Sequence, residues 1–284
     1  MPGDDRNPMT AEFGTVAEWT ARVASRLGPA YAVPAACRGS GQPAALDWLL
    51  AHLDPVPGAL LADVGAGLGG PAAYAAASTG IRPLLLEPEP AACRAAAAMF
   101  GAPVIRADAT ALPLADGRAD AAWSLGVLCT LPGRDAQLAM LRELRRIVSP
   151  DGRVGLLAFI AARLPLADPP EGNRFPTPGD LDSLLREAGL EVLHRADAHR
   201  MSAPPTDWRD RAEAVEHELH RRFGHTPQLQ ASDEQGERIG KLIQCGQLAP
   251  HVFVLRSGLR VTNGNGSSPV RRLARHRTTG PRSG

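Results

Sequence analysis

At 284 residues and 44% hydrophobic, the chain is long enough to bury the core of one large α/β domain with appendages. Its net charge of +1 leaves no electrostatic footprint for nucleic acid or an anionic membrane surface. The four scattered cysteines, with no C-x-x-C pair, argue against both a disulfide framework and a thiolate zinc site. No apolar run approaches the roughly 18 residues a membrane span needs, and no basic-then-apolar leader is visible, so a cytoplasmic protein in a reducing compartment is expected.

Residues 1–11 are polar and are predicted to be unstructured. Phe13, Val16, Thr20, Val23 and Leu27 recur at helical spacing and predict a helix over 12–27. A connection punctuated by glycine and proline follows, and a second amphipathic helix is predicted over 44–53. Together they make an N-terminal helical cap, 12–57. From Leu60 onward, apolar runs at 60–64, 83–86, 103–105, 121–125 and 154–159 alternate with helical stretches at 71–78, 89–99 and 135–148. In the last of these Leu138, Leu141, Leu144 and Val148 form a stripe, and Ser149-Pro150-Asp151-Gly152 supplies the stop. Strands alternating with helices predict βαβ units, a parallel sheet and helices on both faces. A helix over 178–189 leads into a strand over 191–194, closing a core that runs from 58 to 203. The alternation then breaks over 204–248. There Trp208, Ala212, Val215, Leu219 and Phe223 mark one amphipathic helix, and Ile239, Leu242 and Ile243 a second. A last strand is predicted over 250–256, within a final core segment 249–260, and the Gly/Ser/Arg-rich tail 261–284 is predicted to be unstructured.

The chemistry concentrates at Leu60–Val64 and the residues just after it. An apolar run ends in an acid, Asp63, and Gly65, Gly67, Gly69 and Gly70 follow before Pro71 opens an Ala-rich helix. Glycines at a strand-to-helix turn permit positive φ and let a ligand approach the main chain, while the helix N-terminus offers unpaired N–H groups. By itself the pattern serves nicotinamide, flavin and S-adenosylmethionine (SAM) sites alike. Asp63 discriminates: an anion there repels a pyrophosphate but suits a cationic group such as an amine. Glu87 ends the next apolar run, where an acid accepts ribose hydroxyls in either kind of site. Asp108 follows the third run, where a carboxylate can accept from an adenine amine. Asp116 and Asp120 read as turn and strand-entry residues.

Jointly these motifs resemble the class I SAM-dependent methyltransferases. The match rests on the acid-x-G-x-G-x-G-G-P run from Asp63 to Pro71, on Glu87, and on the run from Asp108 through Leu112-Pro113-Leu114 to Asp120. It covers about residues 58–160, and Ser149 to Val154 resembles the family's turn into its fifth strand. The Gly69-Gly70-Pro71 turn and the helical insertion resemble the small-molecule branch, which includes tocopherol, sugar and polyketide-tailoring enzymes. The resemblance implies a Rossmann-like, doubly wound, seven-stranded and mostly parallel α/β sheet. In it the N-terminal helices and the insertion form a lid over the substrate. It also implies SAM as cofactor, with Asp63, Gly65, Ala66 and Gly67 at the methionine part, Glu87 on the ribose, and Pro88, Asp108 and Ala109 around the adenine. Leu125 would give a backbone contact near the sulfonium.

The implied function is methyl transfer to a small-molecule acceptor, a natural-product intermediate, by a monomer or homodimer, with O-methylation slightly favoured. A hydroxyl acceptor normally needs a base. Many small-molecule relatives carry a His-His pair after the fourth strand. Here that stretch reads Leu128-Cys129-Thr130-Leu131, and the fifth strand ends without an acid. His199, just after the sixth strand, is therefore the candidate base. Cys129, Thr130, Arg174 and Phe175 are candidate pocket residues, with Trp19, Tyr31 and Trp208 as lid aromatics. Arg38, in the glycine-rich link, is placed to reach a substrate carboxylate. His217, His220 and His225 lie on the polar side opposite Trp208, Val215 and Leu219, alongside Glu213 and Glu216, and read as a solvated face, so no metal site is assigned. C- or N-methylation remains an alternative. So does a cyclase or pericyclase that keeps SAM as a structural ligand, with an NAD(P)-dependent oxidoreductase a more distant one.

Overall fold

In a computed structural model, residues 8–39 and 41–258 are described. Seven strands form one sheet: β1 (Leu60–Val64), β2 (Arg82–Glu87), β3 (Val104–Arg106), β4 (Ala119–Leu125), β5 (Val148–Ala161), β6 (Leu190–Asp197) and β7 (Leu248–Ser257). Their order is β3-β2-β1-β4-β5-β7-β6. All neighbouring pairs are parallel except those of β7, which runs antiparallel to both β5 and β6. The chain leaves β1 toward β2 and β3 on one side and returns to β4 on the other. The crevice at the C-terminal ends of β1 and β4 is therefore the topological switch point, where open α/β sheets bind ligands.

Side-chain alternation divides the core. Ala62, Ala122, Val154, Leu156, Phe253 and Leu255 face helices α6 (Arg134–Ile147) and α7 (Pro178–Ala188). Leu61, Trp123, Leu157, Val252 and Val254 face α3 (Pro43–Leu53). Helices α4 (Gly70–Thr79) and α5 (Pro90–Phe100) pack on the Leu85 side. The α6 stripe is as predicted in Leu138, Leu141 and Leu144, all buried. Val148 instead opens β5, and a register shift between Ala119 and Ala121 absorbs the turn at Ser149–Gly152 rather than ending the element. Gly152 is required there, since a Cβ would lie 2.5 Å from the Asp120 carbonyl oxygen. Local signals also set the ends of α7. Thr177 and Asp180 form a reciprocal capping box, and Gly189 takes φ +71° at its C-terminus.

Helix α1 (Pro8–Leu27) begins inside the segment expected to be unstructured, while the predicted tail 261–284 lies outside the described residues. α1, the short α2 (Ala32–Ala36), α8 (Thr206–Phe223) and α9 (Pro227–Gln244) form a helical layer of their own. It is knitted by Val16, Val23, Ala24, Ala35, Val215, Leu219 and Leu229. Trp19 of α1 stacks on Phe223 of α8 with ring centroids 4.3 Å apart and planes 4° from parallel. Among the described residues no helix is long and apolar enough to cross a membrane.

Candidate functional site

The turn from β1 into α4 is built by close approaches that only glycine allows. Gly65 takes φ +74°, and a Cβ there would sit 2.3 Å from Val127 Cγ2. Gly70 lies against α2, where a Cβ would be 2.4 Å from the Ala36 carbonyl carbon. Gly65 and Ala66 donate their N–H groups to the Leu86 carbonyl at 2.8 and 3.2 Å, tying the loop to the end of β2. Glu87, the last residue of that strand, is 4% exposed. Its carboxylate accepts from Gly67 N–H at 2.8 Å and from Glu89 N–H at 3.0 Å. Burial raises its pKa, and those two N–H groups pull it back.

Asp63 is the electrostatic anomaly. It is 2% exposed, its Oδ2 makes no hydrogen bond, and among the described residues it forms no ion pair. Burial pushes its carboxyl up to about 7. The neighbouring Trp123 indole, its register partner across β1 and β4, offsets part of that cost, and the negative charge of Glu87 adds to it. The indole lies beside the carboxylate without forming an aligned bond, because Trp123 Nε1 also lacks a hydrogen-bond partner. A buried carboxylate with an open acceptor is costly unless a cation arrives. This site therefore fits an ammonium group. Cys37 lies close enough for the Asp63 charge, after burial itself, to raise its thiol further.

The remaining predicted cofactor residues lie along the same edge. Leu125 is buried at the end of β4, and Gly126 after it, at φ +81°, is crossed by the link from α2. A Cβ on Gly126 would be 2.9 Å from the Gly39 carbonyl oxygen. Pro88 and Asp108 are exposed and Ala109 is buried. Asp108 Oδ1 is engaged by the N–H and hydroxyl of Thr110 at 2.8 and 2.7 Å, an Asx turn. Helix α1 lies over this end: a Cβ on Gly67 would be 3.4 Å from Phe13 Cζ, and one on Gly14 would meet Glu89 at 2.7 Å.

On the α3 face, beyond Cys37, lies a cavity of about 620 Å³. Its floor is apolar, with Ala35, Ala45, Leu157, Phe159, Val215 and Leu219. Met201, Pro204, Trp208, Ala212 and Pro250 continue the wall, and Arg38, His199 and Glu216 stand at the more exposed side. His199 reaches it because β6 runs parallel to β5, which brings the helical turn Ala198–Arg200 to the ligand-binding edge. There Asp197 Oδ1 accepts the His199 N–H at 2.9 Å.

Trp208 and His199 thus line the cavity, and the other predicted pocket residues do not. Cys129 is 4% exposed in a separate cluster with Phe175, Leu242 and Leu248, and burial pushes its thiol up to about 12. Arg174 is exposed. Its N–H bonds the Cys129 carbonyl at 2.7 Å, and its own carbonyl and that of Leu128 accept from the buried Gln137 amide. Thr130 is exposed and spends its hydroxyl on the Val127 carbonyl. Trp19 and Tyr31 pack between α1 and α8. Helix α9 is the reason for the first of these departures: its Ile239, Leu242 and Ile243 pack with Phe159 and Ala161 of β5 over Cys129, where the sequence predicts a residue facing substrate. Arg38 reaches carboxylates of its own chain, Asp233 Oδ1 at 3.3 Å and Glu216 Oε1 at 3.8 Å. His220 also binds Asp233, at 2.8 Å. Nothing in the local sequence points to Asp233 as the partner of both.

Residues 62–156 match the family described as Methyltransferase domain. This is the class I methyltransferase fold. Among solved structures, the chain is similar in fold to the (4+2)-cyclase SpnF, at 20% identity and a TM-score of 0.65, covering 89% of this chain and 98% of that one. It is also similar to the cyclopropane synthase MmaA2 from Mycobacterium tuberculosis, at 16% identity and a TM-score of 0.62, covering 89% and 99%. A third similar structure is a SAM-dependent methyltransferase from Geobacter sulfurreducens in complex with S-adenosyl-L-homocysteine, at 17% identity and a TM-score of 0.54, covering 76% and 92%. No curated protein matches the sequence.

Proposed function

We propose that this chain is a SAM-dependent methyltransferase acting on a small, mainly apolar acceptor held in the 620 Å³ cavity. The observation that carries the reading is Asp63: a buried, unpaired carboxylate at the switch point, just before a positive-φ glycine turn and adjoining the cavity through Cys37. Its open oxygen would hold the ammonium of SAM, and Glu87 the ribose hydroxyls. Gly65 to Gly67 would lie along the methionine part, Pro88, Asp108 and Ala109 would flank the adenine, and Leu125 would stand near the sulfonium. SAM supplies an electrophilic methyl group on that sulfonium. The protein supplies position and exclusion of water: α1 covers Gly67, while the α8 wall and the apolar floor hold the acceptor. The S-adenosyl-L-homocysteine bound in the Geobacter sulfurreducens structure supports the cofactor assignment.

Where the acceptor is a hydroxyl, His199 would take its proton, as the one histidine of the cavity wall among the described residues. A carbon or amine nucleophile would not need it. The test is incubation with methyl-labelled SAM and a panel of apolar phenols, amines and polyenes, beside thermal-shift titration with S-adenosylhomocysteine. Label transfer and stabilisation by S-adenosylhomocysteine are expected. Stabilisation by NAD(P) but not by S-adenosylhomocysteine would overturn the reading. A second reading, a cyclase on the same fold, is favoured by the apolar cavity floor and by the likeness to a (4+2)-cyclase over most of both chains. Product formed without transferred label would select it.

A further inference from the structure

Arg38 is the one cationic Arg or Lys side chain in the cavity wall among the described residues. A lone cation beside an apolar floor ordinarily marks the berth of a substrate carboxylate or phosphate. Here its guanidinium already faces two carboxylates, Asp233 Oδ1 at 3.3 Å and Glu216 Oε1 at 3.8 Å, and Glu216 itself lines the cavity. The Arg38 charge is thus already faced by two carboxylates. His220 binds the second oxygen of Asp233, at 2.8 Å, and so fixes the carboxylate toward Arg38. An anionic ligand would have to displace a carboxylate that the fold holds in place and would face the one that remains. An uncharged ligand meets no such opposition.

Resting on the methyl-transfer reading, we infer that the cavity selects an uncharged, predominantly apolar acceptor and rejects free carboxylic acids and phosphates, with Glu216 and Asp233 as the specificity-determining residues. They act by occupying Arg38. A volume of about 620 Å³ fits a ligand of drug-like size rather than a small acid or amine. The two carboxylates thereby oppose the wrong ligand as much as they tie the helical layer together.

Two dyes that share one ring system and differ by a charge test this on the full chain: uncharged N-phenyl-1-naphthylamine and anionic 8-anilinonaphthalene-1-sulfonate. Wild type is expected to bind the uncharged dye at least about fivefold more tightly, a scale suited to partly exposed charges. Freeing Arg38 in an E216Q/D233N variant should raise affinity for the sulfonate by about fivefold and leave the uncharged dye near its starting value. The triple variant R38M/E216Q/D233N should lose that gain. Equal or tighter binding of the sulfonate by wild type overturns the inference. So does a gain that persists without Arg38, which would mean loosened helices rather than an unmasked cation. Ala212→Trp fills the cavity and should abolish binding of both dyes, and binding that survives it removes the cavity from the explanation. Thermal shift with S-adenosylhomocysteine is read in parallel. Dye selectivity without that shift would sink methyl transfer and leave the charge argument intact, while the shift without dye selectivity would do the reverse.

Discussion

Asp63 and Trp123 are register partners on β1 and β4, both are buried, and each leaves a polar atom without a bond. The open Asp63 carboxylate costs stability in the ligand-free protein and is compensated only when a donor cation completes it. Asp63→Asn should therefore raise ligand-free stability at pH 8 by about 1–3 kcal/mol in denaturant titration, because a buried charge is removed. The same variant should lose most stabilisation by S-adenosylhomocysteine, and an unchanged ligand response would refute the role of Asp63. Gly65 carries the opposite expectation. With φ +74° and Val127 only 2.3 Å from where a Cβ would stand, Gly65→Ala should destabilise by about 2–4 kcal/mol, from backbone strain and overpacking together. Chemical denaturation would check it. The positions of both residues are legible in the sequence, because strand end and turn are local features. The missing partner of Asp63 is not, since Trp123 and Cys37 reach it only through the sheet and α2. Cys129 lies outside the cavity for a similar reason: its neighbours Leu242 and Leu248 come from a distant part of the chain.

Among the elements, α6 illustrates a pattern strong enough to fix its own burial. Leu144 is fully buried against the sheet, and Leu144→Ala should cost about 2–5 kcal/mol by thermal or urea unfolding. The helical layer is different. Its sequence predicts amphipathic helices, but periodicity says only that a stripe is buried, not against what. The structure pairs α1 with α8 through the Trp19–Phe223 stack, and Arg38 and His220 with Asp233 of α9. Trp19→Ala should therefore raise hydrogen-exchange rates in Pro8–Leu27 and Thr206–Phe223 while β1, β4 and β5 keep their protection. Uniform loss of protection across the sheet would mean that the layer and the core unfold as one unit.

At the scale of the molecule, buried charge makes stability and ligand binding depend on pH. The folded Asp63 carboxyl titrates near 7, against an ordinary value of 3.8. The unfolded chain thus holds fewer protons than the folded one between those values, and this group's contribution makes ligand-free stability fall as pH rises from about 4 to 7. A cation bound beside Asp63 favours its ionised form. Binding of S-adenosylhomocysteine at pH 6 should then release about 1 proton, and almost none at pH 8.5. Calorimetry in buffers of different ionisation enthalpy measures this, and pH-independent proton exchange would contradict it. At His220, contacts with the Glu216 carbonyl and with Asp233 raise the pKa, so its hold on Asp233 is full at low pH and is lost as pH rises through the folded value. By itself the sequence determined what short-range chemistry can specify. Hydrophobic periodicity set the strand and helix order, the glycines and Asp63 set the turn at the switch point, and Glu87 and Asp108 set the ends of the next two strands. Only the tertiary structure decided the acceptor's side. Which side chains line the cavity, and whether Arg38 is free or already neutralised, depends on how α2, α8 and α9 meet across long stretches of chain. Those meetings arise from packing between surfaces whose sequence patterns are alike.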